Sequence, residues 1–153
     1  MKLVEKLNAL GLTLPPVAVP LAAYVPAVRE GCIIYTSGQI AMANGALQYK
    51  GRLGESLSKE DGMASARICA LNALAAAASI AGGLDNIERI IRLTGYVNST
   101  PDFTEQPAVV NGASQLMLDL FGDDGRHARS AVGVSALPLG ASVEVELIVK
   151  VRE

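Results

Sequence analysis

The stretch that decides the fold runs from Ser58 to Gly83 and reads SKEDGMASARICALNALAAAASIAGG. Ser58 is followed three residues later by Asp61, which is the spacing of a capping box at a helix N-terminus. Nine alanines between Ala64 and Ala81 favour a helix, and Gly82-Gly83 predicts its end. A helix surface this smooth can lie close to a sheet. The stretch therefore predicts one long helix packed on strands.

The segments on either side supply the sheet and a second helix. Six segments are predicted as strands from their β-branched content and flanking turn residues: Ala23–Arg29, Cys32–Ser37, Leu47–Arg52, Ile90–Val97, His127–Leu137 and Ser142–Arg152. Pro107–Phe121 is predicted as the second long helix, Met1–Leu10 as a short added one, and Thr13–Pro20 as an extended connector. This order predicts one α+β domain over residues 1–153, with both long helices on one face of a mixed sheet.

The composition describes a folded domain. Of 153 residues, 50% are hydrophobic and 18% are charged, whereas disorder needs few apolar residues. Thirteen basic and 15 acidic residues give a net charge of −2, which argues against a nucleic-acid binder. So few charges in a small domain leave apolar surface uncovered, and this predicts a homo-oligomer. Because Glu5, Lys6 and Arg67 interrupt the apolar runs, we expect a cytoplasmic protein without membrane contact.

The last strand shows a clean alternation. Val143, Val145, Leu147, Val149 and Val151 share one face, which predicts that Glu144 and Glu146 point the other way. In the strand before it, we expect Val132, Val134 and Ala136 to form the core row. Arg129, Ala131 and Gly133 would then lie on the face of the glutamates, where small side chains leave room for a ligand or a subunit.

The loop Pro138–Gly140 suggests that these two strands form a hairpin. Glu144 would then lie opposite Ser135, six residues from Arg129, or roughly 20 Å at about 3.3 Å per residue. Arg129 and Glu144 of one chain could not touch the same small molecule. A site that used both would therefore straddle a subunit interface. The alternative is that both side chains form surface ion pairs.

Other chemistries find little support in the residues. His127 is the only histidine, which excludes a His-rich metal site, and it is interpreted as a strand-entry residue. No glycine-rich phosphate loop is present. Cys32 and Cys69 sit in apolar surroundings and are interpreted as free thiols. We therefore expect binding or catalysis without a metal or cofactor.

Several motifs carry a resemblance to a known family. The chain resembles the Rid family (reactive intermediate/imine deaminase A, also called YjgF) from about residue 20 to its end, in Ala23-Tyr-Val25, Tyr35-Thr-Ser-Gly-Gln-Ile40, Val110-Asn111, Ala128-Arg-Ser130, Leu137-Pro138 and Val143-Glu-Val-Glu146. The resemblance implies a chorismate-mutase-like α+β fold and a homotrimer with three clefts between subunits.

The resemblance also implies a reaction and the residues for it. In the well-characterised deaminase branch of the family, such clefts bind small 2-imino or 2-enamino acids and hydrolyse them to 2-keto acids and ammonia. Arg129 matches the arginine that clamps the substrate carboxylate, and Glu144 matches the acid that positions or activates water. The remaining matched positions line the pocket, with polar side chains at Tyr24, Ser37 and Asn111 and backbone groups at Gly38 and Ala131.

Some positions depart from the family pattern. Ala131 stands where the archetype often has cysteine, Gly133 stands where it has glutamate, and Tyr24 follows Ala-Ala rather than Gly-Pro. Two alternatives to the deaminase therefore stay open. One is a trimer that binds small carboxylates without catalysis, and the other is the family's older label of an RNA-cleaving translation inhibitor.

Overall fold

The helices of the computed structural model fall where the sequence predicts them. The structure describes residues 1–17, 20 and 22–153, so part of the connector Thr13–Pro20 lies outside the described residues. The helices are α1 (Leu3–Ala9), α2 (Lys59–Ala81) and α3 (Gln106–Phe121). The strands are β1 (Ala27–Glu30), β2 (Ile33–Thr36), β3 (Gln39–Ile40), β4 (Met42–Ala43), β5 (Ala46–Leu47), β6 (Ile87–Asn98), β7 (Ala128–Val134) and β8 (Val143–Val151).

Helix α2 begins with the predicted capping box. Ser58 Oγ accepts a hydrogen bond from the backbone N–H of Asp61 at 3.1 Å, and the Asp61 carboxylate accepts one from the N–H of Ser58 at 3.2 Å. The helix ends at Gly82, whose φ of 84° lies in the left-handed region. Its composition and length would allow it to cross a membrane, but 56% of its most apolar window is buried inside this chain. The helix is thus the central packing element of the domain.

Strand β8 lies in the middle of the main sheet, whose order is β1-β2-β8-β6-β7, with β3 paired to β8. Its alternation is confirmed, because every second residue from Val143 to Val151 is buried. The thiol of Cys69 donates to the carbonyl of Val143 at 3.3 Å. Burial raises the pKa of that thiol, so Cys69 is an inert packing group.

Three details of the strand prediction are wrong. The segment predicted as a strand near Leu47–Arg52 forms only the short β5, which pairs with β4 in a separate ribbon. Strand β1 begins at Ala27 rather than Ala23. Strands β7 and β8 do not form a hairpin, because β6 lies between them, parallel to β7 and antiparallel to β8. Helix α3 connects β6 to β7, and a helical crossover joins parallel neighbours.

The position of β6 also reverses the predicted faces of β7. Leu93 is in register with both Arg129 and Leu147, so the Arg129 side chain lies on the helix-covered face of the sheet. Tyr96 is in register with both Val132 and Glu144, which puts Val132 on the face of the glutamates. The prediction that Val132, Val134 and Ala136 form the core row is therefore wrong, and Val132 is 43% exposed. An edge strand with one face uncovered can keep valines outside the core of its own chain.

Candidate functional site

Arg129 lies on the edge strand β7, where three groups of α3 hold its guanidinium. Nη1 donates to Asn111 Oδ1 at 2.7 Å and to Ser114 Oγ at 3.2 Å. Nη2 donates to the carbonyl oxygen of Pro107 at 3.4 Å. Among the described residues, Nε–H and the second hydrogen of Nη2 have no acceptor. The guanidinium is a planar fork of donors, and the donors that remain free among the described residues can bind a carboxylate.

The partners of Arg129 form one flank of α3. Pro107, Asn111 and Ser114 are spaced i, i+4 and i+7, so they line up along the helix beside its buried stripe. Asn111 was predicted from the sequence, whereas Ser114 and the Pro107 carbonyl were not. The helical spacing could have indicated them once Arg129 was placed on the helix side. Ala131 continues the same row of β7 and packs against the core.

Glu144 lies on the opposite face, beside the turn that leads into β3. Ile40 is its register partner, and Gly38 faces its carboxylate so closely that any side chain at position 38 would collide with Glu144 Oε1. Glycine at position 38 therefore lets the backbone approach the acid directly. The structure thus places Gly38 next to Glu144.

Ser37 forms hydrogen bonds to the segment that carries Tyr24, another of the predicted site residues. Its hydroxyl donates to the carbonyl of Val25 at 2.6 Å, and its backbone N–H donates to the carbonyl of Pro26 at 2.8 Å. These bonds hold the segment that carries Tyr24, whose ring is 56% exposed. Ser37 is therefore a structural tie between two loops, and Tyr24 is free to contact a ligand or another subunit.

The electrostatics of this face stabilise the protonated form of Glu144 relative to that of a free carboxyl group. Partial burial raises the pKa of Glu144, and the charge of nearby Glu146 raises it further. Tyr96 donates to Glu146 Oε1 at 2.7 Å, and this hydrogen bond raises the pKa of Tyr96 to about 12. A carboxyl group with a raised pKa holds a proton more readily than a free carboxyl group does, which suits a group that accepts a proton and returns it.

The raised pKa of Glu144 predicts how stability depends on pH. The folded state disfavours the ionised form, so the stability that Glu144 contributes below its unfolded pKa is lost as the pH rises through its folded pKa. Glu144→Gln stays neutral, so we expect it to unfold at higher denaturant concentration than the wild type at pH 8. The gain should stay below about 1 kcal/mol because the side chain is only partly buried and solvent screens its charge, and it should vanish near pH 4.

Denaturant unfolding at fixed protein concentration, from pH 4 to pH 8, measures this difference. Glu55→Gln is the control, because Glu55 is exposed and lies outside the main sheet. A Glu144→Gln variant less stable than the wild type at pH 8 would contradict the prediction.

The predicted residues form two separate groups. The arginine half-site comprises Asn111, Arg129 and Ala131, and the acid half-site comprises Tyr24, Ser37, Gly38 and Glu144. Arg129 and Glu144 are two strands apart across the sheet and three register positions apart along it, which corresponds to roughly 14 Å between their Cα atoms. Their side chains also lie on opposite faces. One chain therefore does not assemble both half-sites around one small molecule.

Two cavities among the described residues are lined by other side chains. One of about 520 Å³ is lined by α1 and by Asp85 and Arg152, and one of about 270 Å³ by Tyr35, Arg92 and Glu146. Neither contains Arg129 or Glu144. Within residues 1–17, 20 and 22–153, no group of three His, Cys, Asp or Glu side chains is placed to hold a metal ion.

Comparisons with known proteins now identify the family. A family model described as "YjgF/chorismate_mutase-like, putative endoribonuclease" matches residues 4–151. Protein TCP17 of Trypanosoma cruzi is 43% identical over 152 residues, which cover 99% of this chain and 95% of TCP17. The chain belongs to the YjgF family.

Solved structures of this family share the fold. Protein Atu1372 of Agrobacterium tumefaciens, whose function is unknown, is 41% identical with a TM-score of 0.90 over 98% of this chain and 92% of its own. TdcF of Escherichia coli, solved with bound serine, is 25% identical with a TM-score of 0.63 over 92% of this chain and 94% of its own. The mixed α+β sheet described above is the chorismate-mutase-like YjgF fold.

Proposed function

We propose that this protein hydrolyses reactive 2-imino and 2-enamino acids to 2-keto acids and ammonia, in clefts between subunits of a homotrimer. The observation that carries the proposal is the fork of Arg129, held by Asn111, Ser114 and Pro107 with two donors unused among the described residues. A carboxylate is the ligand that fits this fork. TdcF with bound serine, an amino acid with a carboxylate, supports the same class of ligand.

The chemistry at the imine carbon requires a placed water and a proton carrier. In the proposed reaction, water attacks the C=N carbon as Glu144 accepts a proton from it. Glu144 returns that proton to the nitrogen, and the hydroxyl of the resulting carbinolamine gives its own proton to the nitrogen as the C–N bond breaks, so that ammonia leaves as the carbonyl forms. A 2-enamino acid first tautomerises to the imine. The raised pKa of Glu144 supports this role, because the same group must accept a proton and return it.

The arrangement of the half-sites supports assembly around a threefold axis. The arginine half-site lies at the β7 edge of the sheet, whereas the acid half-site lies toward the β2 and β3 side. Two different surfaces of this kind can pair head to tail, and head-to-tail contacts form a closed ring when the rotation between neighbouring subunits closes. A ring of three is the one that the family resemblance implies. Tyr24, Val25 and Val28 near one half-site and Val132 on the other edge strand are 43–56% exposed, which leaves apolar surface for a neighbouring subunit to cover.

The test is a coupled assay that generates 2-iminopropanoate or 2-aminoacrylate in place and follows release of the 2-keto acid. We expect the wild-type protein to accelerate release over the spontaneous reaction, and Glu144→Gln to remove most of that acceleration. The control is Glu55→Gln, which leaves the acid half-site untouched. Equal rates with and without protein would reject the deaminase. Binding of a 2-keto acid in calorimetry under those conditions would then favour the carboxylate binder.

A further inference from the structure

A chain of hydrogen bonds runs inward from Arg129. Nη1 of Arg129 donates to Ser114 Oγ at 3.2 Å, Ser114 Oγ lies 2.9 Å from Nε2 of His127, and Nδ1 of His127 lies 2.6 Å from the carbonyl oxygen of Gly125. His127, which lies immediately before β7, thus contacts α3 through Ser114. Its only assignment from the sequence was that of a strand-entry residue.

The chemistry of the groups fixes the direction of the chain. The carbonyl of Gly125 can only accept, so Nδ1 of His127 carries a proton. In the neutral ring, Nε2 is then an acceptor, and the hydroxyl of Ser114 donates to it. With its hydrogen pointing to His127, Ser114 Oγ presents a lone pair to the guanidinium of Arg129.

The far end of the chain is firmly anchored. Gly125 is buried, and the backbone of Met117 in α3 stands so close to it that a side chain at position 125 would collide with the Met117 carbonyl. The carbonyl of Gly125, which accepts the hydrogen bond from His127, is therefore fixed relative to α3. The ring, the hydroxyl and the guanidinium are oriented from that fixed point.

We propose that His127 is a positioning residue, which acts through Ser114 to hold the Arg129 fork in the orientation that binds a carboxylate. The proposal rests on the proposed function for its catalytic consequence. Without an acceptor at Nε2, the Ser114 hydroxyl loses the partner that holds it in place and can turn away from the guanidinium, so that Nη1 loses one of its two partners. Asn111 and Pro107 remain, so the fork would loosen but stay in place.

Two substitutions of His127 test the roles of its two ring nitrogens separately. His127→Gln would place an amide oxygen near the former Nε2, which restores an acceptor for Ser114. The shorter side chain of His127→Asn reaches only the position of Nδ1. It keeps a donor to the carbonyl of Gly125 but provides no acceptor for the Ser114 hydroxyl. A role limited to anchoring the strand entry would be served by asparagine, whereas the positioning role requires glutamine.

The first readout is the NMR signal of the Arg129 guanidinium in the full-length protein, assigned with Arg129→Lys. A hydrogen-bonded guanidinium rotates slowly about its Cζ–N bonds and gives separate Nη signals. We expect separate signals in the wild type and in His127→Gln, and averaged signals in His127→Asn and Ser114→Ala. Equal signals in the wild type and His127→Asn would overturn the proposal.

The second readout is the kinetics of the imine assay. His127→Asn should raise KM about tenfold with kcat changed less than twofold, because a loosened clamp weakens carboxylate binding in both substrate and transition state. His127→Gln should restore KM to within about twofold of the wild type. Equal KM values for the two variants would overturn the positioning role. An inactive wild type would reject the deaminase instead, and the NMR signals would still decide whether His127 positions Arg129.

Discussion

Arg129→Ala is expected to lower kcat/KM for 2-imino acid hydrolysis by about a hundredfold to a thousandfold. A two-point, charge-assisted clamp is lost, and truncation of such a pair typically weakens binding by about 2–5 kcal/mol. Arg129→Lys should fall between the wild type and Arg129→Ala, because an ammonium keeps the charge but not the fork. The measurement is the initial rate of 2-keto acid release over a range of substrate concentrations.

The matched control for this prediction is Arg126→Ala. Arg126 lies three residues earlier, is 79% exposed on its side chain and pairs with Asp123 at the surface. It carries the same charge and stands outside both half-sites, so its loss should change kcat/KM less than twofold. Light scattering and circular dichroism should show that both variants keep the wild-type mass and fold. Full activity in a well-folded Arg129→Ala would reject the clamp.

Gly112→Ala is expected to destabilise the fold by about 3 kcal/mol, although alanine favours helices over glycine. Gly112 lies in α3 where this helix crosses α2. A Cβ at this position would stand 2.8 Å from the carbonyl carbon and 2.9 Å from the Cα of Met63. Backbone atoms of α2 cannot turn aside as a side chain can, so the two helices must move apart. Thermal unfolding should report a fall in Tm of about 10 °C.

Gly62→Ala is the matched control for the helix crossing. Gly62 lies near the start of α2, and a Cβ there would meet only side-chain atoms, at 2.9 Å from Leu53 and 3.0 Å from Val109. These side chains can adjust by a few tenths of an ångström, so we expect a loss below about 1 kcal/mol. Similar losses at positions 62 and 112 would contradict the view that backbone contact sets the spacing of the helices.

The parts of the fold that depend on local sequence were predictable. The capping box at Ser58 and Asp61 requires only a three-residue spacing, and the buried row of β8 follows from strict alternation. The family motifs led to the YjgF fold for the same reason, because they are short and in a fixed order. These features need no knowledge of which strands lie side by side.

The face of β7 was not predictable from its own residues. Val132 and Val134 suit a core row by hydropathy, but the pairing of β7 with β6 puts Arg129, Ala131 and Gly133 toward the helices instead. Long-range strand order decides this, and a one-residue shift reverses every side chain. The β6-α3-β7 order did contain a usable signal, since a strand, a helix and a strand predict parallel neighbours. The sequence contains no comparable signal for the contact between Gly38 and Glu144.

The two half-sites lie on different sides of one sheet. In the proposed trimer, each catalytic cleft therefore takes its arginine from one subunit and its glutamate from a neighbouring subunit. Arg129→Ala and Glu144→Gln are each expected to lack most activity alone. When the two inactive proteins are unfolded, mixed in equal amounts and refolded together, about a quarter of the clefts should receive an intact arginine from one parent and an intact glutamate from the other. A doubly substituted chain, by contrast, would inactivate both clefts that it borders. In mixed trimers with the wild type, it should therefore lower the activity more than in proportion to its share.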